Sequence, residues 1–595
     1  MKKHLFISLF LIISFTGSAQ WTNDPSVNTW VAGSDHFRTY PQISAGPSGS
    51  FYVSNWESVS DTNVYYNFWL QLLDGEGNRV WGDDGIRISD NPSRSWISAY
   101  DLTTDSAGNA IIAFEDMRGG TGFSHVFLYA YNASGNPVWD SGGIQADTGS
   151  FMSYSPTLAV TAKGNILVAW NAIYNENPSQ EWGIRIMKYS PAGQPLWPGA
   201  LAWNEPDTTN MFATIIPVAE DDFILVWQRK FESGVGIGYE WFTYLYAQRF
   251  DSAGHPVWPQ IVPVCDHGDS AYVMPEFMII STAKDENDGV YVSWFDDRYK
   301  TMYCNIYAQH VDINGNVGWI KNGVPVSPEN WGYDRVEPHM VFDPPGQSLY
   351  LLWEEYRPQG IYLSFGLCGQ KMSAAGELKW GDLGKIFEDF EMDSIFYIND
   401  LRLTPYHDLL FQYEQEYDSI VGPDTLRFDQ LFISRVDTSG AFLWTPGRTL
   451  MAATNGTKFY PELSAYSNGI YVTTWAENRD SPFYPYGDIY AQNIGLNGKL
   501  GPLSIPSPAG TEEGIMISPN PSGSSAWLVF KNKPSGTVRI RIFNSIGQEI
   551  YSGTESPVQG SNLVRLDASG MKTGFYYVEV SLEGRVETVK WVVVI

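Results

Sequence analysis

The sequence predicts an all-β protein: an eight-bladed β-propeller with four antiparallel strands per blade, followed by a small C-terminal β-sandwich. Three observations carry this prediction. A Gly-x-x-x-Trp motif returns at nearly constant spacing, an aromatic residue ending an apolar run returns in step with it, and both patterns stop after Gly498. Repetition of this kind means that one supersecondary unit is stacked on copies of itself.

The elements follow in chain order. Lys2 and Lys3, an apolar stretch from Leu5 to Phe15, and the small residues Gly17, Ser18 and Ala19 form the charged, apolar, small order of a secretory signal peptide over residues 1–19. No later stretch offers about 18 uninterrupted apolar residues, so no transmembrane segment is expected in the mature chain. No Cys follows the cleavage region, which argues against a lipoprotein. Cys265, Cys304 and Cys368 stand far apart in 595 residues and are expected to pack as small apolar groups, since three thiols make no disulfide framework. With 37 Lys and Arg against 66 Asp and Glu, the net charge of -29 repels phosphate backbones, and nucleic acid is excluded as a partner.

The repeat begins at "GNRVW" (Gly77) and continues through "GNPVW", "GQPLW", "GHPVW", "GNVGW", "GELKW" and "GAFLW", with a degenerate eighth copy, "GKLGP", in which Pro502 replaces the Trp. Successive separations are 58, 58, 61, 61, 61, 64 and 58 residues. The second marker is Trp56, Phe114, Trp170, Trp227, Trp294, Trp353, Phe411 and Trp475. Each unit reads as four short strands, with Gly-bearing turns such as "DSAGN" and "DINGN" supplying the positive φ that closes hairpins. Tandem immunoglobulin-like domains would need about 100 residues and seven strands per unit. Radial repetition fits, because it leaves only short protected sheet edges. The propeller is expected over residues 27–506, and "NTWVAG" at Asn28 to Gly33 is placed to complete the last blade.

After a linker at 507–513 the pattern changes over residues 514–595. "SPNPSG" at Ser518 is followed by "VRIRIFNSIGQEIY", by "LDASGMKTGFYYVEV" and by a terminal "KWVVVI". These blocks resemble, in order, the C-terminal sorting domain of the type IX secretion system of Bacteroidota exported proteins; Trp591 and Ile595 are the main departures. The resemblance implies a β-sandwich that partners the type IX machinery and a chain secreted or displayed on the cell surface.

In a four-stranded meander the first-to-second and third-to-fourth turns share one face, and the remaining connections share the other. The second set holds the long connections, including Gln228 to Thr243, Gln412 to Asp429 and Glu477 to Asp488, and is the candidate binding face. Aromatics outside the repeat that fall in these connections are the candidate ligand-binding residues: Trp96, Trp203, Trp241, Trp331, Tyr333, Tyr484 and Tyr486. A second candidate is a ring at the channel mouth, Gln42, Asp101, Thr157, Thr214, Glu276, His339, Asp400 and Glu462. Its carboxylates could hold a hard cation, and a polar lining for a water-filled channel explains them equally. No cofactor is called for: "DINGN" and "DGEGN" resemble calcium loops, but Gly323 and Gly85 stand where a bidentate Glu belongs.

Four blades carry aromatic-x-acid-x-Arg: Phe114, Asp116, Arg118; Trp294, Asp296, Arg298; Trp353, Glu355, Arg357; and Trp475, Glu477, Arg479. An arginine cluster for a carboxylated sugar is one reading. Structural ion pairs between blades is the favoured one, because the motif tracks the repeat. No GxSxG, HExxH, phosphate loop or CxxC appears, so no catalytic residue is nominated. Three functions remain open: a recognition module for a glycan or protein, a propeller glycoside hydrolase or lyase, and a structural envelope or adhesion component.

Overall fold

A computed structural model describes residues 21–593, apart from 34–35, 60–64, 94–99, 119–122, 148–150, 174–181, 204–207, 234–239, 267–279, 300–302, 330–331, 422–423, 455, 480–486, 503–514, 519–521, 523–524, 531–536, 545–547, 558–562, 573 and 583–584. The signal peptide expected over 1–19 and the linker expected over 507–513 lie outside the described residues. The chain divides into two units, residues 1–502 and 503–595.

The first unit is an eight-bladed β-propeller. Blades 1 to 7 occupy residues 38–89, 101–145, 152–203, 209–265, 281–325, 334–391 and 394–452, each with its four strands hydrogen-bonded in chain order. Blade 8 is assembled from both ends of the unit: Lys458–Leu463, Ile470–Glu477 and Asp488–Gly495 are completed by Thr29–Ala32, with Thr29 opposite Ala491 and Trp30 opposite Tyr490. The first strands of neighbouring blades touch right round the ring, the eighth against the first, so they are innermost and line the channel.

One contact, repeated, explains the Gly-x-x-x-Trp motif. Each motif glycine has positive φ, from +74° at Gly193 to +86° at Gly254 and Gly376. Its open side receives the Trp of the preceding blade; a Cβ on Gly315 would sit 2.8 Å from Trp258. That Trp's Nε1 donates to a carbonyl of the same turn, as Trp258 does to Ile313 (2.9 Å) and Trp444 to Leu496 (3.0 Å). The sequence leaves the eighth position without a Trp, and the fold fills it from the far end of the unit. Trp21 is 1% exposed, packs against Gly77 and donates Nε1 to the Gly75 carbonyl at 3.0 Å. "DINGN" is a turn: Asp312 Oδ1 accepts from the backbone of Asn314 and Asn316.

Gly82 shares the left-handed conformation, at φ +80°, but nothing stands within 4 Å of its missing Cβ. Gly82→Ala is therefore expected to cost only the backbone penalty, about 1 kcal/mol. Gly315→Ala must also displace the Trp258 indole, for about 2–3 kcal/mol in all. Denaturant midpoints of the two variants check this. Equal losses would mean that the indole is not held against the turn.

Two long connections differ from expectation. In blade 4 the second and third strands run Phe223–Ser233 and Glu240–Phe250, and in blade 7 Leu409–Val421 and Asp424–Val436. Most of Gln228 to Thr243 and Gln412 to Asp429 is thus paired hairpin rather than irregular loop, because laddering the extension satisfies its backbone N–H and C=O groups. Cys265, Cys304 and Cys368 are free and buried, and burial raises the Cys304 and Cys368 thiols. Among the described residues no helix is long and apolar enough to cross a membrane.

The second unit holds two antiparallel sheets. One orders Ile515–Ser518, Ser525–Phe530 and Leu563–Asp567; the other orders Glu549–Glu555, Val538–Asn544, Gly574–Leu582 and Arg585–Val593. Their apolar sides share one core that includes Leu528, Ile540, Val564, Val578 and Trp591. Trp591 is fully buried, with Nε1 donating to Ser522 Oγ at 2.6 Å.

Candidate functional site

The innermost strands share a local irregularity that builds the channel mouth. Register slips between Thr39 and Gln42, Tyr154 and Thr157, Met211 and Thr214, Val336 and His339, and Phe459 and Glu462. Inside each slip one residue takes positive φ: Tyr40 (51°), Ser155 (47°), Phe212 (51°), Glu337 (53°) and Tyr460 (54°). Bulges at this conformation ordinarily carry Gly, because a side chain there costs about 1–3 kcal/mol. None of the five is Gly.

Gln42, Thr157, Thr214, His339 and Glu462 emerge two positions after the left-handed residue, and ring residues tie neighbouring blades together. Gln42 Nε2 donates to the Tyr100 carbonyl (2.7 Å), and Asp101 accepts from Leu158 N (2.6 Å) and Thr157 Oγ1 (3.3 Å). Glu462 accepts from Ile43 N (3.2 Å), closing the seam between blades 8 and 1. Asp400 pairs with Arg402, which donates to the Leu463 carbonyl at 2.9 Å. Burial pushes Asp101 up to about 6, and burial with the charge of Asp400 pushes Glu462 up to about 8. Burial, then the Arg402 charge, lowers His339 to about 4. Glu276 lies outside the described residues. Among the described residues no group of three or more His, Cys, Asp or Glu is placed to hold a metal ion.

Beside this collar stand two features that the sequence reading passed over. Tyr40 and Tyr460, from blades 1 and 8, stack with ring centroids 3.6 Å apart and planes 19° apart, and Tyr460 remains 41% exposed. In blade 6, Glu354 is 3% exposed and accepts from Tyr356 Oη and, at 3.2 Å, from Ile398 N; burial, then the nearby Glu337, pushes it up to about 8. Burial raises Glu337 to about 7. A signal for the left-handed positions was present: Tyr40, Ser155, Glu337 and Tyr460 each precede a Pro, which has no N–H to leave unpaired at a bulge.

The nominated aromatics among the described residues, Trp203, Trp241 and Tyr333, fall in or beside different blades. Trp203 ends the fourth strand of blade 3, Leu201–Trp203, and packs edge-on against Trp227 (5.8 Å) and Phe250 (5.2 Å) of blade 4, so it is inter-blade packing rather than a loop platform. Trp241 belongs to the strand Glu240–Phe250, paired with Glu232. Tyr333 is half-buried between the guanidinium groups of Arg335 (5.1 Å) and Arg357 (5.0 Å). Trp96, Trp331, Tyr484 and Tyr486 lie outside the described residues.

The acid and Arg motifs are structural, but each pair lies within one blade, at or just past the end of its second strand, and not between blades. Asp116, Asp296 and Glu477 end their strands and the Arg stands two residues on in the turn, while in blade 6 the strand runs on and Glu355 and Arg357 occupy alternate positions on one face. Asp296 pairs with Arg298 at 2.7 Å and Glu355 with Arg357 at 2.5 Å, while the Arg298 and Arg479 guanidinium groups lie 3.3 and 3.6 Å over Tyr307 and Tyr490.

Residues 516–594 match the family model described as "Secretion system C-terminal sorting domain". No curated protein matches the sequence. Solved structures similar to the chain include a fungal alcohol oxidase of the AA5 family in complex with copper (10% identity, 97% of this chain and 100% of that one, TM-score 0.38). Others are a protein of unknown function from Dyadobacter fermentans (11%, 79% and 98%, 0.34) and the Penicillium chrysogenum α-L-arabinanase complexed with arabinobiose (13%, 56% and 93%, 0.32). At these TM-scores none bears on what this chain does. The tail is a type IX sorting domain, which implies export of the chain by that machinery and a secreted or cell-surface location.

Proposed function

We propose that the propeller is an extracellular recognition module that takes a glycan end into its channel mouth. One observation carries this reading: the Tyr40 and Tyr460 stack, held on left-handed backbone, presents a partly exposed aromatic surface beside the carboxyl and amide groups of Glu462, Asp400 and Gln42. Aromatic faces with a few placed polar groups are how sugar rings are gripped. Tyr460→Ala is expected to weaken binding of any glycan captured on an array at least about tenfold, the worth of one lost stacking partner. Calorimetry reads the affinity, with an unchanged melting curve as the control. Undiminished binding by Tyr460→Ala removes the mouth as the site.

Glycoside hydrolysis is favoured by a different observation, the adjacent Glu337 and Glu354, raised to about 7 and about 8, since a carboxyl kept protonated near neutrality can serve as a general acid. New reducing ends released from a bound glycan, and lost in Glu354→Gln, identify the hydrolase. Tight binding without new ends identifies the recognition module.

A further inference from the structure

Four residues put an aromatic platform and its polar neighbours on adjoining blades. Tyr40 and Gln42 stand two positions apart on the first strand of blade 1, and Tyr460 and Glu462 hold the matching positions on blade 8. The two tyrosines stack on each other, and the two polar side chains reach across the seams beside them. Gln42 Nε2 donates to the Tyr100 carbonyl (2.7 Å), and Glu462 Oε2 accepts from Ile43 N (3.2 Å). Asp101 follows Tyr100 and opens the first strand of blade 2, near enough that Glu462 feels its charge.

The polar atoms left over at this corner of the mouth are acceptors. Each bond above uses one end of its side chain, and among the described residues nothing donates to the other ends, Glu462 Oε1 and Gln42 Oε1. Neither of those oxygens is sealed from the channel. Asp101 spends Oδ2 on Leu158 N and Thr157 Oγ1. Arg402 is engaged as well: it pairs with Asp400 and donates to the Leu401 (3.1 Å) and Leu463 (2.9 Å) carbonyls. Three carboxyl groups, Asp101, Asp400 and Glu462, thus stand against one guanidinium. Burial, then the charge of Asp400, pushes Glu462 up to about 8, and Asp101 adds to the effect.

Such a corner sorts sugars by charge. A uronate is repelled by the carboxylates. A neutral sugar brings hydroxyl lone pairs as well as donors, and the open oxygens have nothing to give them. An ammonium carries three N–H donors and no acceptor, and its charge takes the place of the Glu462 proton. Taking the mouth as the glycan site, we infer that the sugar end it accepts is an amino sugar with a free, protonated amine, whose ammonium pairs with Glu462 and donates to Gln42 Oε1 while the ring lies on Tyr460.

Calorimetry on the full chain at pH 7 tests it with the β-1,4-linked trimers of glucosamine, N-acetylglucosamine and glucose, which differ only in carrying an amine, an acetamide or a hydroxyl. The amine trimer is expected to bind at least about tenfold more tightly than the other two, as for a hydrogen bond to a charged group. Glu462→Gln keeps an acceptor for Ile43 N and should remove that margin, while Tyr460→Ala should weaken every trimer that binds. Gln42→Met should narrow the same margin, and serves should Glu462→Gln fail to fold. The net charge of -29 attracts any cation, so amine binding that survives both Glu462→Gln and Tyr460→Ala is general attraction and overturns the assignment. So does a neutral trimer bound as tightly as the amine, or an amine trimer that does not bind. In those two cases the mouth still stands as the glycan site if a glycan captured on an array depends on Tyr460, and falls with the amine if it does not.

Discussion

Trp21→Ala is expected to lower the unfolding free energy of the propeller by about 3–5 kcal/mol, the usual cost of emptying a buried Trp site. The residue does more than fill space, because it is the eighth member of a ring of seven other Trp contacts. It plugs the turn of blade 1, where the repeat offers Pro502 in place of a Trp. The segment behind it is tied to the far end of the unit. Gln492 Nε2 donates to the Thr22 carbonyl and Asn28 Nδ2 to the Met451 carbonyl, both at 3.0 Å, and Ala453 N donates to the Pro25 carbonyl at 2.9 Å. These contacts join residues more than four hundred positions apart, so they form only when the ring closes. Urea unfolding followed by Trp fluorescence reads the effect in the propeller transition. An unchanged midpoint would show that Thr29–Ala32 closes the ring without help.

That latch also shows what the sequence could and could not disclose. The blades were legible because their packing is repeated: a glycine that must adopt positive φ marks all eight turns, and a Trp four residues on marks seven of them. The eighth copy looked degenerate because its Trp comes from the other end of the chain, and no periodicity connects Trp21 to Gly77. The strand that completes blade 8 was recoverable, since "NTWVAG" stands where a fourth strand belongs. The channel mouth was only half legible. The ring residues followed from strand phase, but the slip that gives Tyr40 and Tyr460 their stacking geometry depends on backbone conformation. Choosing aromatics because they broke the repeat favoured Trp203, whose ring is consumed by packing on Trp227 and Phe250.

The buried carboxyl groups of blade 6 predict an unusual pH response. A carboxyl whose folded pKa is raised binds more protons folded than unfolded, so its contribution to stability falls as pH climbs from the unfolded value through the folded one. Glu354, at about 8, and Glu337, at about 7, both act in that sense. His339 acts oppositely, because a folded pKa of about 4 makes stability rise with pH up to the unfolded value of 6.5. The two trends overlap below that value and separate above it. Between pH 6.5 and 8 only the carboxyl effect of these groups operates, and Glu354 alone should take away about 1–2 kcal/mol. Glu354→Gln keeps an acceptor for Tyr356 and Ile398 and removes the titration. Its melting temperature should exceed that of the parent at pH 8 and, by a smaller margin, at pH 6.5, and change less between the two. A variant that loses as much stability as the parent over that interval would place the proton on another group, and with it would go the case for Glu354 as an acid held ready at the seam between blades 6 and 7.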